Sequence, residues 1–475
     1  MKIILKTLLS VLLILFASCK KLIEILPPAN SITTEQTFAD SSDASSAISG
    51  IYSSMLGSVS LNFLNGVLTI YCGESADELI PFYSGGDDLY ANTLLADNAF
   101  MLNLWPPAYQ YIYQANGVLE GVQASKGISE NNKKLFLGEA KFLRSLNYFY
   151  LINLFGDVPF VNTTDYHVTS LSARTSKDQI YQQIISDLKG AQSDLPDNYE
   201  LTANERTRAN RWAATSLLAR VYLYNHKWDS AELESSLVIN ATNLFNLNYD
   251  LNGVFLNNAS LNNEAILQWQ TNVRSGGFNA TPEGFNFNPN LPPNNNPNYY
   301  LSNQLLNAFE PGDQRKVYWV DSTDYNSTIY YYPHKYKIGA AQADPTATPT
   351  EYVMVMRLAE QYLIRAEARA RQSNLSGALE DLNAIRTRAG LPSFDNNLDQ
   401  TQIIAAVMQE RRIELFAEWG NRWLDLKRTG NVDSVMSVAT PLKGQGTTWH
   451  SYQQLYPIPI TEIHVDPNLT QNSGY

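Results

Sequence analysis

Residues 211–239, "RWAATSLLARVYLYNHKWDSAELESSLVI", decide the fold. Apolar residues recur there with the 3.6-residue period of a helix, the pattern breaks around Asn225 to Asp229, and a second helical run follows. Ala219 and Ala231 stand twelve residues apart across the break. Residues 362–390, "YLIRAEARARQSNLSGALEDLNAIRTRAG", repeat the arrangement, with Ala366 and Ala378 at the same separation. Small side chains so placed let two antiparallel helices approach closely across a turn, as in a tetratricopeptide-like hairpin. Upstream, residues 132–156 put Leu135, Leu143, Leu146, Tyr150 and Leu154 on one stripe. Gly156 follows as a C-terminal cap and Pro159 bars continuation. The expectation is a mostly α-helical chain whose scaffold occupies segments 100–155, 175–242 and 355–430.

Between these hairpins the texture changes. Over 243–352, strand-like pieces ("EAILQWQ", "KVYWVDS", "TIYYYPHKYKI") alternate with Asn, Pro and Gly. Residues 285–301, "FNFNPNLPPNNNPNYYL", read as irregular, because proline lacks a donor and asparagine favours turns. A long irregular loop inside a compact protein is usually functional or disordered. The flanking Phe285, Phe287, Tyr299 and Tyr300 tilt this loop towards function.

The start of the chain carries an address. Lys2 and Lys6 precede an apolar run from Leu8 to Phe16, and Ala17-Ser18 supply the small residues before a cut. The run is too short to cross a bilayer, which takes roughly 20 apolar residues. A cysteine directly after the cut is the pattern of an acylated lipoprotein. The expected organisation is a signal peptide over 1–18, a lipid-anchored tether over 19–30 beginning at Cys19, and one domain over 31–475. Cys72 is then alone in the mature chain and expected to be a small buried apolar residue.

The formal charge of −12 becomes two units more negative once Lys2 and Lys6 leave. An acidic exterior argues against nucleic acid, which rewards clustered Lys and Arg. With 44% hydrophobic residues the chain can build a large core, and 28 Tyr and 8 Trp supply flat apolar faces with hydrogen-bonding tips. That composition suits a wet surface recognising polar ligands.

Catalytic motifs are missing: no H-E-x-x-H, G-x-S-x-G, P-loop or G-x-G-x-x-G occurs. The five histidines show no metal-ligand spacing, and neither a metal nor a cofactor is expected. Carboxylates cluster at Glu74, Asp77, Glu78, Asp87 and Asp88 in "GESADELIPFYSGGDDLY". Two carboxylates suffice for a glycosidase, but turn formers, caps and solvated charges are the simpler reading. In "QERRIELFAEWGNRWLDLKRTG", the spacing of Glu418, Arg422 and Asp425 predicts pairing along one helix face, fixing a helix against the core rather than forming an anion site.

Seven pieces in order carry a resemblance: "CKKLIEILPPA", "FADSSDASSAISGIY", "GEAKFLRSLNYFYLINLFGDVPF", "RLAEQYLIRAEARA", "LNAIRTRAGLP", "ERRIELFAEWGNRWLDLKR" and "YPIPITEIHVDPNLTQNSGY". Over essentially its whole length the chain resembles the SusD/RagB family of Bacteroidetes outer-membrane lipoproteins. The resemblance implies tetratricopeptide-like hairpins bearing a loop-rich ligand-binding half, expected over 243–352, and binding without catalysis. It implies a lid at the cell surface over a SusC-like TonB-dependent outer-membrane barrel, delivering nutrients, most often oligosaccharides. Capture of peptides, as in RagB-type relatives, and a surface glycosidase are the alternatives.

The shared motifs lie in the scaffold and bring no ligand contact with them. Site residues are therefore chosen by chemistry. Sugars present C–H faces and hydroxyl edges, which aromatic platforms and polar side chains match. Two segments supply both, and they nominate Asp77, Tyr83, Tyr90 and Asn92 in the first and Arg274, Tyr299, Tyr300 and Trp319 in the second.

Overall fold

Several long helices start where a side chain satisfies orphan N–H groups. Asp40, Ser129, Ser176, Asn210 and Asp399 accept from backbone amides of the first turns of α1 (Ser41–Met55), α4 (Glu130–Phe155), α5 (Lys177–Asp194), α6 (Arg211–Tyr224) and α10 (Gln400–Glu414). Between and after these lie α2 (Val67–Ser75), α3 (Trp105–Ala124), α7 (Trp228–Ile239), α8 (Leu358–Arg371), α9 (Leu375–Arg388), α11 (Asn421–Arg428) and α12 (Val432–Lys443). The computed structural model describes residues 33–56, 63–83, 85–257, 262–271, 278–291, 295–444 and 446–475. The leader, Cys19, the tether to residue 30 and Arg274 lie outside the described residues. No helix among the described residues is long and apolar enough to cross a membrane.

From α3 to α9 each helix packs on the next, making a ladder of antiparallel rungs, with α10 also against α8. Ala219, Ala231, Ala366 and Ala378 are all fully buried, as close helix approach requires. The fold is mostly helical. Its key feature is that α7 packs directly on α8, although residues 240–357 separate them in sequence. Arg369 on α8 reaches back to Glu232 on α7 at 2.9 Å, and Arg365 pairs with Asp381 on α9 at 2.7 Å. The irregular segment is thus an insertion between two consecutive rungs.

Within the insertion, strands β4 (Ala265–Trp269) and β8 (Val353–Arg357) pair antiparallel at its root. A hairpin is formed by β6 (Val320–Tyr325) and β7 (Thr328–Pro333). Strand β5 (Tyr299–Leu301) pairs with β1 (Leu79–Pro81), which follows α2. The strand expected in "KVYWVDS" begins only at Val320, because Asp313 caps a short helix over Gln314–Trp319. The stretch expected to be irregular over 285–301 also holds order at both ends. Phe285 to Phe287 close the helix Pro282–Phe287, and Tyr299 to Leu301 form β5.

A buried ionic hub joins insertion to ladder. Arg357, at the end of β8, donates to Glu418 at 2.9 Å and Glu264 at 3.1 Å, and also pairs with Glu414. Arg388 from α9 meets Glu264 at 2.7 Å and the same Glu414; Arg315 meets Glu414 at 3.0 Å. Lys335 pairs with Glu418 beneath the rings of Phe416 and Trp319. Burial alone would raise the Glu414 carboxyl, but Arg388, Arg357 and Arg315 outweigh it and hold it well below the usual range.

The hub overturns the expected helix-face pairing of Glu418, Arg422 and Asp425. Ala417, Trp419 and Gly420 adopt left-handed backbone, so the helix breaks after Glu414 and restarts at Asn421. Glu418 turns to Arg357 and Lys335, Arg422 to Asp77, and Asp425 to Arg411 and Arg428. The arginines fix scaffold, as expected, but apart from Arg428 with Asp425 inside α11 they do so across distant elements. Cys72 is buried as expected, and burial pushes its thiol up to about 12.

Candidate functional site: an aromatic shelf beside an amide-lined cleft

The pairing of β1 with β5 brings the two candidate segments together. Ile80 stands opposite Tyr300 and Pro81 opposite Tyr299, and Phe82 N donates to Asn298 O at 2.9 Å, extending the pairing. Alternation along a strand puts Ile80, Phe82 and Tyr300 on one face. The β6–β7 hairpin lies against that face. Tyr330 meets Tyr300 with ring centroids 5.0 Å apart and Phe82 at 5.3 Å, while Phe82 also contacts Tyr325 at 5.3 Å and Tyr83 at 4.9 Å. All four contacts are edge-to-face, so these rings do not stack on one another's faces. Tyr83 is 78% exposed. The result is an aromatic shelf open to solvent.

Next to the shelf lies an open cleft of about 440 Å³. Ser302 builds its floor: its hydroxyl donates to Asp77 O and accepts from Leu305 N, capping the short helix Asn303–Leu306. That helix and its C-terminal cap present Asn303, Gln304 and Asn307 to the cleft, and no side-chain hydrogen bond within the described residues consumes these amides. The opposite wall is α12, with Leu442 69% exposed and Lys443 beneath. Tyr90 closes the end nearest the shelf. Burial, followed by the nearby Tyr300, pushes its hydroxyl up to about 12. Flat rings beside unspent amide donors and acceptors make a surface for a ligand with apolar faces and hydroxyl edges.

The nominated residues divide by environment. Tyr83, Tyr90 and Tyr300 come together on the shelf and at the cleft's end. Asp77 borders the cleft, but Arg422 holds its two oxygens at 2.7 and 3.0 Å and Arg412 adds a contact at 2.7 Å. Burial would raise its carboxyl; those arginines hold it below its ordinary value. Asn92 is buried, its Nδ2 donating to Ser75 O while Thr440 and Lys443 donate to its Oδ1. Tyr299 points away from the shelf, edge-on to Phe287. Trp319 is fully buried above the ionic hub, donating from Nε1 to Leu251 O at 2.9 Å. As placed, Asp77 and Asn92 spend their side chains on protein partners, and Trp319 leaves no ring face open to solvent.

The carboxylate cluster is likewise structural. Asp87 Oδ1 accepts from Leu89 N and Tyr90 N, and Asp88 accepts from Thr93 and Asn98, so both hold turns. Glu74, Asp77 and Glu78 are buried rather than solvated. Among the described residues no group of three or more His, Cys, Asp or Glu is placed to hold a metal ion.

Burial pushes Glu78 up to about 8, with Asp77 reinforcing the rise and Arg422 and Arg412 opposing it. A carboxyl raised in the folded state stabilises it fully below its ordinary value and loses that contribution as pH rises through about 8. Glu78→Gln cannot take up the charge. Chemical denaturation of this variant is expected to show a shallower fall in stability between about pH 5 and pH 8 than the parent, a difference on the order of a few kcal/mol. Identical slopes would contradict the assignment.

Comparison with known proteins agrees with this architecture. A family model described as "SusD family" matches residues 314–475, and a second, "Starch-binding associating with outer membrane", matches residues 82–223. The chain belongs to the SusD family. A SusD-like protein, P25, of Formosa agariphila is 26% identical, over 96% of this chain and 97% of that protein. The starch-binding protein SusD of Bacteroides thetaiotaomicron is 25% identical, over 71% of this chain and 72% of its own length. Surface glycan-binding protein A of Bacteroides uniformis shares the fold, with a TM-score of 0.77, 21% identity, and 91% and 99% of the two chains covered. SusD proteins are non-catalytic glycan-binding proteins, so the chain is not an enzyme.

Sequence reasoning missed Phe82, Tyr325 and Tyr330 on the shelf and Asn303, Gln304 and Asn307 in the cleft. The signal for the amides was their spacing in "SNQLLNAF", which groups Asn303 and Asn307 on one helical face.

Proposed function

We propose that this protein captures an oligosaccharide on the shelf of Tyr83, Tyr300 and Tyr330, with the amides of the adjoining cleft reading its hydroxyls. The supporting observation is the edge-to-face cluster of Tyr300, Tyr330, Phe82 and Tyr83 beside the unspent amides of Asn303, Gln304 and Asn307. Relatives named for starch binding and for surface glycan binding support the same ligand class. In this reading the leader is removed, Cys19 carries the lipid, and residues 19–30 tether the domain at the outer membrane, facing the exterior. The captured sugar passes to a SusC-like TonB-dependent barrel.

A panel of oligosaccharides and peptides offered to protein begun after Cys19 tests the ligand class. At least one glycan is expected to bind more tightly than every peptide. Peptides outranking all glycans would replace this reading with RagB-type peptide capture. Co-purification from membranes with a β-barrel tests the partner separately.

A further inference from the structure

A second open cleft, of about 440 Å³, lies between α3, the segment after β2 (Val158–Pro159) and the short helix Ile460–Val465. None of its lining residues belongs to the first cleft. Trp105, Tyr109 and Tyr113 stand four residues apart on α3, so they share a face at intervals of about 6 Å. The series runs from inside to outside. Trp105 is buried, Tyr109 is half-buried with its hydroxyl donating to Pro159 O at 2.8 Å, and Tyr113 is 56% exposed. Trp105 and Tyr109 contact at 5.0 Å with their rings tilted by 44°.

The rest of the lining mixes apolar Val161, Val465 and Leu469 with polar side chains, among them Asp466, whose Oδ1 accepts from Asn468 N. Ser170 brings a hydroxyl, Ser172 a hydroxyl oxygen whose proton goes to Val168 O at 3.3 Å, and Glu462 a half-buried carboxylate. Burial raises Glu462, with the indole of Trp105 partly offsetting it. No cation is paired with Glu462 among the described residues, unlike the carboxylates of the ionic hub. A desolvated acceptor without a counter-ion requires hydrogen-bond donors and repels anions. Rings leading outward, hydroxyl oxygens that accept, and a carboxylate without a counter-ion match a polyhydroxylated ring without negative charge.

We propose that this cleft is a second saccharide subsite, taking an uncharged sugar that stacks on Tyr113 and donates hydroxyls to Glu462. It is separate from the shelf and does not depend on the shelf being occupied.

One glycan array tests it. The array carries neutral, sulfated and uronic-acid oligosaccharides together with basic peptides. It is probed with the parent, Tyr83→Ala/Tyr300→Ala, Tyr113→Ala/Glu462→Gln and the combined variant, each shown to be folded by its melting curve. The shelf variant is expected to retain weak binding to neutral glycans. Adding the cleft substitutions lowers that residual binding about tenfold or more, equivalent to about 1.4 kcal/mol. The subsite is overturned if the shelf variant binds no neutral glycan, if the cleft substitutions leave its binding unchanged, or if they remove binding only to anionic glycans or peptides. A parent that binds no glycan would overturn the shelf reading as well, which separates the two failures.

Discussion

Arg357→Met is expected to destabilise the folded chain by about 3–5 kcal/mol, because removing one partner of a buried ion pair strands the other charges. The guanidinium sits among Glu264, Glu414 and Glu418, all buried, and also donates to Glu414 O at 2.7 Å. Methionine approximates its length but offers no donor. Arg388 still faces Glu264 and Glu414, and Lys335 still faces Glu418, so a local net negative charge remains rather than a collapse of every contact. Adding Glu418→Gln is expected to recover part of the loss, since the two sites share one network and are not additive. Urea denaturation of the two variants and the parent measures both effects. A loss below about 1 kcal/mol, the size of an exposed pair, would mean that the hub does not hold the insertion to the ladder.

The location of that hub explains what could and could not be read from the sequence. The hairpins of α6–α7 and α8–α9 are local, so helical period and paired alanines announce them. That α7 packs on α8 across residues 240–357 is a long-range fact, and nothing in either helix marks it. The hub is less legible still. Glu264, Lys335, Arg357, Arg388 and Glu414 come from five separate places, each unremarkable among its neighbours. The charge spacing of Glu418, Arg422 and Asp425 misled because it presumed one helix, whereas Ala417, Trp419 and Gly420 break it with left-handed backbone.

The candidate site shows the same division. Tyr83 and Tyr300 could be nominated because aromatic residues flanking Pro-, Gly- and Asn-rich loops tend to remain at the surface. Asp77 and Asn92 share that local texture, yet they are spent on Arg422, Arg412, Ser75 and Thr440, partners remote in sequence. Trp319 lies next to an exposed Tyr318 but points into the core, because the helix capped by Asp313 turns it inward. Tyr330 joins the shelf only because β5 meets β7, a contact between strands that no motif encodes.

The shelf itself gives the second large expectation. In the proposed capture Tyr83 and Tyr300 offer ring faces to a sugar, and each lost face is expected to weaken binding about tenfold, or about 1.4 kcal/mol. Tyr83 is mostly exposed and Tyr300 half-buried, so the double alanine variant keeps its fold. Tyr300→Phe retains the ring and is expected to bind nearly as the parent does, which separates stacking from hydroxyl contacts. Trp319→Phe, acting on a buried ring, is expected to reduce stability and not affinity.

The most direct test is calorimetric titration of the tightest oligosaccharide from the panel into the parent and into Tyr83→Ala/Tyr300→Ala, both shown to be folded. Loss of about a hundredfold in affinity, with an unaltered melting profile, is the predicted result. A folded double variant that binds the same sugar with the parent's affinity would contradict the shelf as the capture surface.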